Sequence, residues 1–162
     1  MSKEIIKKEE IEEYNHLVKD IKFIFQKGLS KAYKAVDNVR VQTYWQVGER
    51  IAREELKHEN RAGYGQEIIK KLSVDLDIHE RTLYRGLKFY KTYPILTTVL
   101  SELSWSHYLV LIDMDKEEER KFYEIYSVKE GWSVRELKEK IKRQEFENTK
   151  KKGEVVIRLP LQ

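Results

Sequence analysis

Four polar side chains recur on one side of a predicted helix near the middle of the chain. Arg81, Arg85, Lys88 and Thr92 follow one another at intervals of three or four residues. At about 100° per residue, this spacing places them on one helical face, opposite Leu83. Guanidinium, ammonium and hydroxyl groups bind phosphate oxygens and the edges of bases in the DNA major groove. The face therefore predicts contact with a nucleic acid.

The helix that carries these cations is predicted to follow another helix after a short turn. The first helix spans about residues 66–76, and the second begins near residue 79 or 80. Asp77 lies at the corner, where a left-handed backbone is often required, and Ile78 is expected to pack inward. The apolar positions at helical spacing are Ile68, Ile69, Leu72, Leu76, Leu83, Leu87 and Tyr90. This pattern is typical of a helix-turn-helix.

Seven side chains of this motif are candidates for nucleic-acid contacts. Arg81, Arg85 and Lys88 are expected to meet double-stranded DNA, and Thr82 and Tyr84 to add polar contacts. Lys70 and Lys71, on the first helix of the motif, are candidates for phosphate contacts. The alternative for the three cations of the second helix is an ordinary solvated helix face.

The distribution of charge supports a polyanionic partner. The net charge is +4. Residues 79–93 carry four basic residues against one acidic residue, as do residues 148–162, whereas residues 94–147 are net acidic. Positive charge is therefore concentrated at the predicted recognition helix and at the tail. An excess of this size can also arise by chance in a highly charged chain.

The elements that must position these residues are predicted to be helices. Charged residues make up 37% of the chain, with only two prolines and seven glycines. This composition favours an all-α fold of six or seven helices. We divide the chain into a helical arm (residues 1–37), a helix-turn-helix domain (38–147), and a basic linker with a terminal segment (148–162). No apolar run is long enough for a signal peptide or a membrane span, so we expect a cytoplasmic protein.

Several local features complete this picture. An apolar stripe predicts a long first helix that packs on a neighbour along its length and ends near Asp37 and Asn38. Gly48 falls inside the next helix, where it predicts close contact with another helix. Capping boxes are expected at Asp115 and at Ser133, and Gly131 is expected to end the helix between them. Alternating Val155, Ile157 and Leu159 could form one short strand.

Five segments together resemble the N-terminal domain of the YhcG-type proteins. They are YWQVGERI (44–51), GYGQEIIKKLSVDL (63–76), ERTLYRGLKFYKTYP (80–94), LSWSHYLVLI (103–112) and FYEIYSVKEGWSVRELKEKI (122–141). In this family a helical domain with a helix-turn-helix precedes a PD-(D/E)xK nuclease domain. The resemblance implies that this half binds DNA and that the other half cleaves phosphodiester bonds. We expect the nuclease to lie beyond Gln162 or in a partner, and this chain not to be an enzyme.

The sequence gives only weak indications of catalysis, metal binding or base stacking. Glu136-Leu137-Lys138 matches the short Glu-x-Lys motif of such nucleases, but residues i and i+2 of a helix diverge by about 200°. The four histidines are scattered and cysteine is absent, so we expect no metal site or cofactor. His107 could bond a partner or phosphate, but we favour a structural role at a helix start. The three tryptophans could stack on bases, but core packing is the better interpretation.

The sequence thus predicts a DNA-binding, non-catalytic module. The alternative is a protein–protein interaction module that recruits a nuclease or another partner through an apolar surface along the first helix. A homodimer fits either role, since helix-turn-helix proteins commonly read two half-sites. The first helix and the terminal strand are the candidate dimer surfaces.

Overall fold

The computed structural model describes residues 3–58, 60, 63–95 and 102–153, with side chains from residue 11 onward. Every regular element within these ranges is an α-helix, which confirms the predicted fold class. In chain order, the helices of the described part are α1 (Lys3–Lys57), α2 (Tyr64–Leu76), α3 (Glu80–Thr92), α4 (Trp105–Leu111), α5 (Glu117–Glu130), α6 (Val134–Lys142) and α7 (Glu145–Lys151).

The first helix is longer than the sequence predicted. α1 continues through Asp37 and Asn38, where we expected one helix to end and another to begin. Within a helix these residues cost no more than about 0.7 kcal/mol each relative to alanine, so their preference for caps does not force an end. The chain nevertheless divides into two compact units, Met1–Val36 and Asp37–Gln162.

The N-terminal unit contains a single described helix, the first part of α1. Its apolar side chains are largely exposed, because this unit contains no second described element to cover them. The sequence predicted a helix that packs on a neighbour along its whole length. Within its own unit the described part of the chain supplies no such neighbour.

The larger core of the second unit is rich in aromatic side chains. Phe89 of α3 contacts the rings of Tyr93, Trp105 and Tyr108, with centroids 5.0–5.6 Å apart. Offset and edge-on ring pairs of this kind add to the energy gained from burial. The tryptophans belong to this core, as predicted. The buried members are Val41, Phe89, Leu103, Trp105, Tyr108, Leu111, Ile112, Phe122, Tyr123, Leu137 and Phe146.

A smaller core holds α2 and α3 against the C-terminal part of α1. It consists of Ile51, Ala52, Ile69, Leu83 and Leu87. α1 and α3 lie close together at two glycines, since a Cβ atom on Gly48 would overlap the carbonyl oxygen of Gly86. This confirms that Gly48 permits close helix contact, and it identifies α3 as the partner helix.

The predicted helix ends agree with the structure at the start of α6 and at the end of α5, and differ at the start of α5. The Ser133 hydroxyl accepts the Glu136 backbone N–H at 3.3 Å, and the Glu136 carboxylate accepts the Ser133 N–H at 2.8 Å. Gly131, with φ 65°, ends α5 as predicted. The box predicted at Asp115 is wrong, since α5 begins at Glu117 after Lys116 and has no side-chain cap.

The last two helices of the described part are separate elements. Gln144 adopts a left-handed backbone with φ 54°, which separates α6 from α7. The predicted strand at residues 155–159 lies outside the described residues. No helix in the described part of the chain is both long and apolar enough to cross a bilayer.

Candidate nucleic-acid interface

The two faces of α3 have opposite character. One face buries Leu83, Leu87 and Phe89 against the two cores. The other carries the exposed side chains of Arg81 and Tyr84. An amphipathic helix of this kind is fixed in rotation by its buried side, because turning it would expose three large apolar side chains. The polar face is therefore held in place by packing.

A three-residue turn, residues 77–79, joins α2 to α3. Asp77 adopts the predicted left-handed conformation, with φ 52°, and its backbone N–H donates to the Ser73 carbonyl. Two expectations at this turn are wrong. Leu76 is 54% exposed and Ile78 is 38% exposed, so neither fills the space between the helices. Ile69, Leu83 and Leu87 fill it instead.

The C-terminal end of α3 is anchored to α1. The indole N–H of Trp45 donates a hydrogen bond to the Tyr93 carbonyl at 2.8 Å. The Lys91 ammonium contacts the Glu55 carboxylate at 2.7 Å. A carbonyl at a helix end needs a partner outside the helix, and Trp45 supplies it. Lys91 is thereby directed toward α1 rather than toward the candidate face.

The candidate face lines an open cleft of about 460 Å³. Four of the predicted contact residues share this cleft with two acidic residues and one apolar residue. Its lining is Ile69, Glu80, Arg81, Tyr84, Arg85, Lys88 and Asp113. Three cations against two carboxylates leave a net charge of +1. The positive surface is therefore interrupted by Glu80 and Asp113.

Lys88 has an acidic neighbour that the sequence did not reveal. Its Nζ atom lies 2.9 Å from an oxygen of Asp113, and the side chains of Lys88 and Asp113 are 42% and 65% exposed. Exposed ion pairs of this kind stabilise a protein by only about 0–1 kcal/mol. A phosphate could therefore replace Asp113 as the partner of Lys88 at little cost. No pattern links the two residues, because they are 25 positions apart.

The remaining predicted contact residues lie outside the cleft lining. Thr82 is half-buried in the first turn of α3, and its backbone N–H donates to the His79 carbonyl at 2.8 Å. Lys70 and Lys71 are exposed on α2. The structure thus brings Arg81, Tyr84, Arg85 and Lys88 into one cleft without these three residues.

His107 connects two parts of the second unit. Its Nδ1 atom accepts the backbone N–H of Ser104 at 3.3 Å and lies 2.7 Å from the Ser104 hydroxyl. Its Nε2 atom lies 2.8 Å from the Trp132 carbonyl, which only accepts hydrogen bonds. These bonds define the tautomer with hydrogen on Nε2. The structural role at the start of α4 is confirmed, and the contact to Trp132 adds a link to the α5–α6 turn.

Glu124 is a buried acid outside the cleft. It lies on α5 and is only 9% exposed. Burial raises the pKa of its carboxyl group, because a low-dielectric surrounding disfavours the charged form. Burial, and secondarily the charge of Glu124, raise the pKa of the Tyr93 and Tyr108 hydroxyls well above the ordinary value.

The Glu136-Leu137-Lys138 motif has a structural explanation. Glu136 caps α6, and its hydrogen bonds to the Ser133 backbone and hydroxyl lower the pKa of its carboxyl group. Leu137 is fully buried, whereas Lys138 is exposed. Among the residues that the structure describes, no group of three or more histidine, aspartate or glutamate side chains could hold a metal ion.

Comparison with known proteins identifies the family. The model of the DUF1016 N-terminal domain matches residues 20–148, so the chain belongs to this family. The chain is also similar to "Putative nuclease YhcG" of Escherichia coli (strain K12), at 27% identity over 158 residues. That match covers 74% of this chain and 42% of the relative, so the chain spans less than half of the relative's length. No solved structure matches the chain.

Proposed function

We propose that this domain binds double-stranded DNA through α2 and α3, which act as a helix-turn-helix with α3 as the recognition helix. The observation that carries the proposal is the cleft face of α3, where Arg81, Arg85 and Lys88 stand beside Tyr84. Arginine pairs with guanine edges and phosphates, and lysine with phosphates. Packing of the opposite face fixes the orientation of these groups before DNA arrives.

The domain serves, in this proposal, as the targeting half of a nuclease system and has no catalytic activity of its own. The similarity to a protein named as a nuclease supports the connection to DNA cleavage. The nuclease is either a further domain or a partner protein. A DNA partner also implies a cytoplasmic location. Lys70, Lys71 and Thr82 then contribute at the margin, through phosphate contacts from α2 and the first turn of α3.

Fluorescence anisotropy with a labelled random-sequence duplex, across a salt series, tests DNA binding. Phosphate contacts release counterions, so the affinity should fall steeply as the salt concentration rises. The Arg85→Glu, Lys88→Glu double variant should lose binding while its circular dichroism remains unchanged. Unchanged affinity in the folded double variant would show that α3 is not the recognition helix.

A matched pair of alanine variants tests the face itself. Arg81 and Arg135 are both exposed and both occupy the second position of a helix, in α3 and α6 respectively. Arg81→Ala should weaken binding by about 1–3 kcal/mol if it contacts a base, or reduce the salt slope by about 1 if it contacts a phosphate. Arg135→Ala removes the same charge and should leave both quantities unchanged. Equal effects of the two variants would indicate binding by net charge alone.

The protein-interaction alternative rests on a different observation, the exposed apolar side chains of α1. In that role the cations of α3 are incidental, and no salt-dependent DNA binding occurs. The anisotropy experiment therefore separates the two functions. Absence of binding at low salt would favour the interaction module.

A further inference from the structure

A regular apolar seam follows the part of α1 that lies in the N-terminal unit. From Ile11 onward, apolar residues recur at alternating intervals of three and four, with one extra interval of four after Phe25. Spacing close to 3.5 residues is typical of helices that pair along their length, and the extra interval is a known local variation. The seam consists of Ile11, Tyr14, Val18, Ile21, Phe25, Leu29, Ala32 and Val36.

The seam is largely open to solvent within its own unit, although Val18 is half-buried. The exposed fractions of its larger side chains run from 44% for Ile21 to 68% for Phe25. At 1.5 Å per residue, residues 11–36 form a surface about 38 Å long. Monomeric proteins rarely expose a continuous apolar surface of this size, and those that do usually bind a partner there. Leu17 and Ile24 widen the apolar strip on one side.

The charges along this part of α1 indicate which partner fits. Residues 9–20 carry five acidic residues and one basic residue, a net charge of −4. Residues 22–34 carry four basic residues and none that is acidic, a net charge of +4. Two such helices in parallel would place like charges together along both halves. In antiparallel orientation each half lies beside the oppositely charged half of the other helix.

We propose that a second copy of this chain covers the seam, with the two α1 helices antiparallel and crossing near Ile21. In this arrangement, each residue of one copy faces a residue of the other copy, and the two residue numbers add to about 43. Tyr14 lies opposite Leu29, and Val18 opposite Phe25. Apolar positions therefore meet apolar positions along the interface, as a two-fold interface requires. The proposal does not depend on DNA binding and is tested separately.

The mass of the full chain in solution tests the pairing. Analytical ultracentrifugation over a concentration series should give twice the 19.5 kDa of one chain. Ile21→Asp places a charge at the crossing point and should reduce the mass to that of one chain. A wild-type protein that is monomeric throughout the series would overturn the proposal, as would a variant that remains dimeric.

Ser30→Asp provides the matched control. It introduces the same charge into the same helix, but its side chain points about 135° away from the centre of the seam at 100° per residue. This variant should remain dimeric. If both substitutions abolish the dimer, then charge or helix stability controls assembly, and the seam assignment is wrong. Far-ultraviolet circular dichroism of both variants shows whether α1 stays helical.

The absence of native cysteine allows the orientation to be tested directly. Tyr14→Cys and Leu29→Cys proteins are prepared separately, mixed, allowed to exchange subunits and oxidised. Antiparallel pairing should give a disulfide only in the mixture, because identical positions in the two copies lie about 22 Å apart along the helix. Cross-linking of each variant with itself, and not in the mixture, would show parallel pairing and overturn the proposal.

Discussion

Glu124 shows how one buried residue can control the pH dependence of stability. Because burial raises the pKa of this carboxyl group, the folded protein favours the protonated form. The stability that this preference contributes is fully present below the unfolded-state pKa, near 4.5, and is lost as the pH rises through the folded-state pKa. Above the folded-state pKa the buried charge opposes folding.

Replacing this carboxyl group with an amide should therefore stabilise the protein at high pH. Glu124→Gln keeps the shape and removes the charge, so we expect a higher Tm than that of the wild type at pH 8. The gain should disappear as the pH approaches 4.5. Differential scanning calorimetry across this pH range measures both effects.

Other acids do not obscure this result, because the comparison is a difference between two variants. Hydrogen bonds lower the pKa values of Glu54, Glu117 and Glu136, so these groups lose stabilising charge as the pH falls. These three groups are the same in the wild type and in the Glu124→Gln variant, so their contributions cancel in the difference between the two stability curves. Glu130→Gln, an exposed change on α5, should leave the curve unchanged. A Glu124→Gln protein that is less stable at high pH, where the carboxyl group is charged, would show that the carboxylate is a necessary ion-pair partner.

At the residue scale, the sequence predicted which side chains lie in the candidate site better than it predicted the residues that they contact. The cations of α3 were predicted from their spacing, and the structure brings three of them into one cleft. Asp113 was missed, because contacts between residues far apart in the chain leave no local pattern. The prediction that Ile78 packs inward was wrong for a related reason. An apolar side chain after a turn packs inward only if the tertiary structure leaves a space for it.

At the scale of elements, α1 and α3 are joined through their glycines. A Cβ atom on Gly48 would overlap the Gly86 carbonyl and approach the Tyr90 Cβ to 3.0 Å, so the helices could not keep their present separation. α3 carries the candidate DNA-contacting face on its other side. Any displacement of this helix would therefore also move Arg81 and Arg85.

Gly48→Ala should destabilise the protein even though alanine is the better helix former. Alanine gains about 1 kcal/mol in helix propensity, whereas overpacking costs typically about 1–3 kcal/mol. We expect a net loss of stability in urea denaturation monitored by circular dichroism. Gly28→Ala in the same helix is the control, since nothing lies within 4 Å of its added Cβ, and it should be neutral or stabilising. Equal stabilisation by both changes would mean that the two helices do not approach closely in solution.

The helices themselves were largely predictable, because they depend on short-range periodicity. The spacing of apolar residues gave α2 and α3 to within about two residues, and Ser133 and Gly131 gave the neighbouring helix ends. Asp37 and Asn38 misled the prediction, since residues that favour a cap can also lie inside a helix whose apolar pattern continues on both sides. The break between α6 and α7 was not predicted, because no glycine marks the left-handed Gln144.

At the scale of the whole molecule, the chain combines two units with different sources of stability. The second unit buries two cores of its own, whereas the described part of the N-terminal unit is a single helix whose apolar side chains are largely exposed. An isolated helix gains little stability without a packed face. In our proposal the N-terminal unit obtains that face from a second copy, so that folding of this helix and dimerisation occur together.

A fragment of residues 37–162 should therefore fold without the N-terminal unit. All members of both cores lie within it, so we expect cooperative thermal unfolding with a midpoint within a few degrees of the full chain. The fragment should be monomeric and should retain contact with DNA through α3. Its salt slope should be smaller than that of the full chain, because one copy of the face neutralises fewer phosphates than two. Sedimentation, circular dichroism and anisotropy on the same sample measure these properties together.

A fragment that does not fold would show that residues 1–36 stabilise the second unit directly. A folded dimer would place the self-association outside residues 1–36, and a folded monomer with an undiminished salt slope would show that each copy contacts DNA independently.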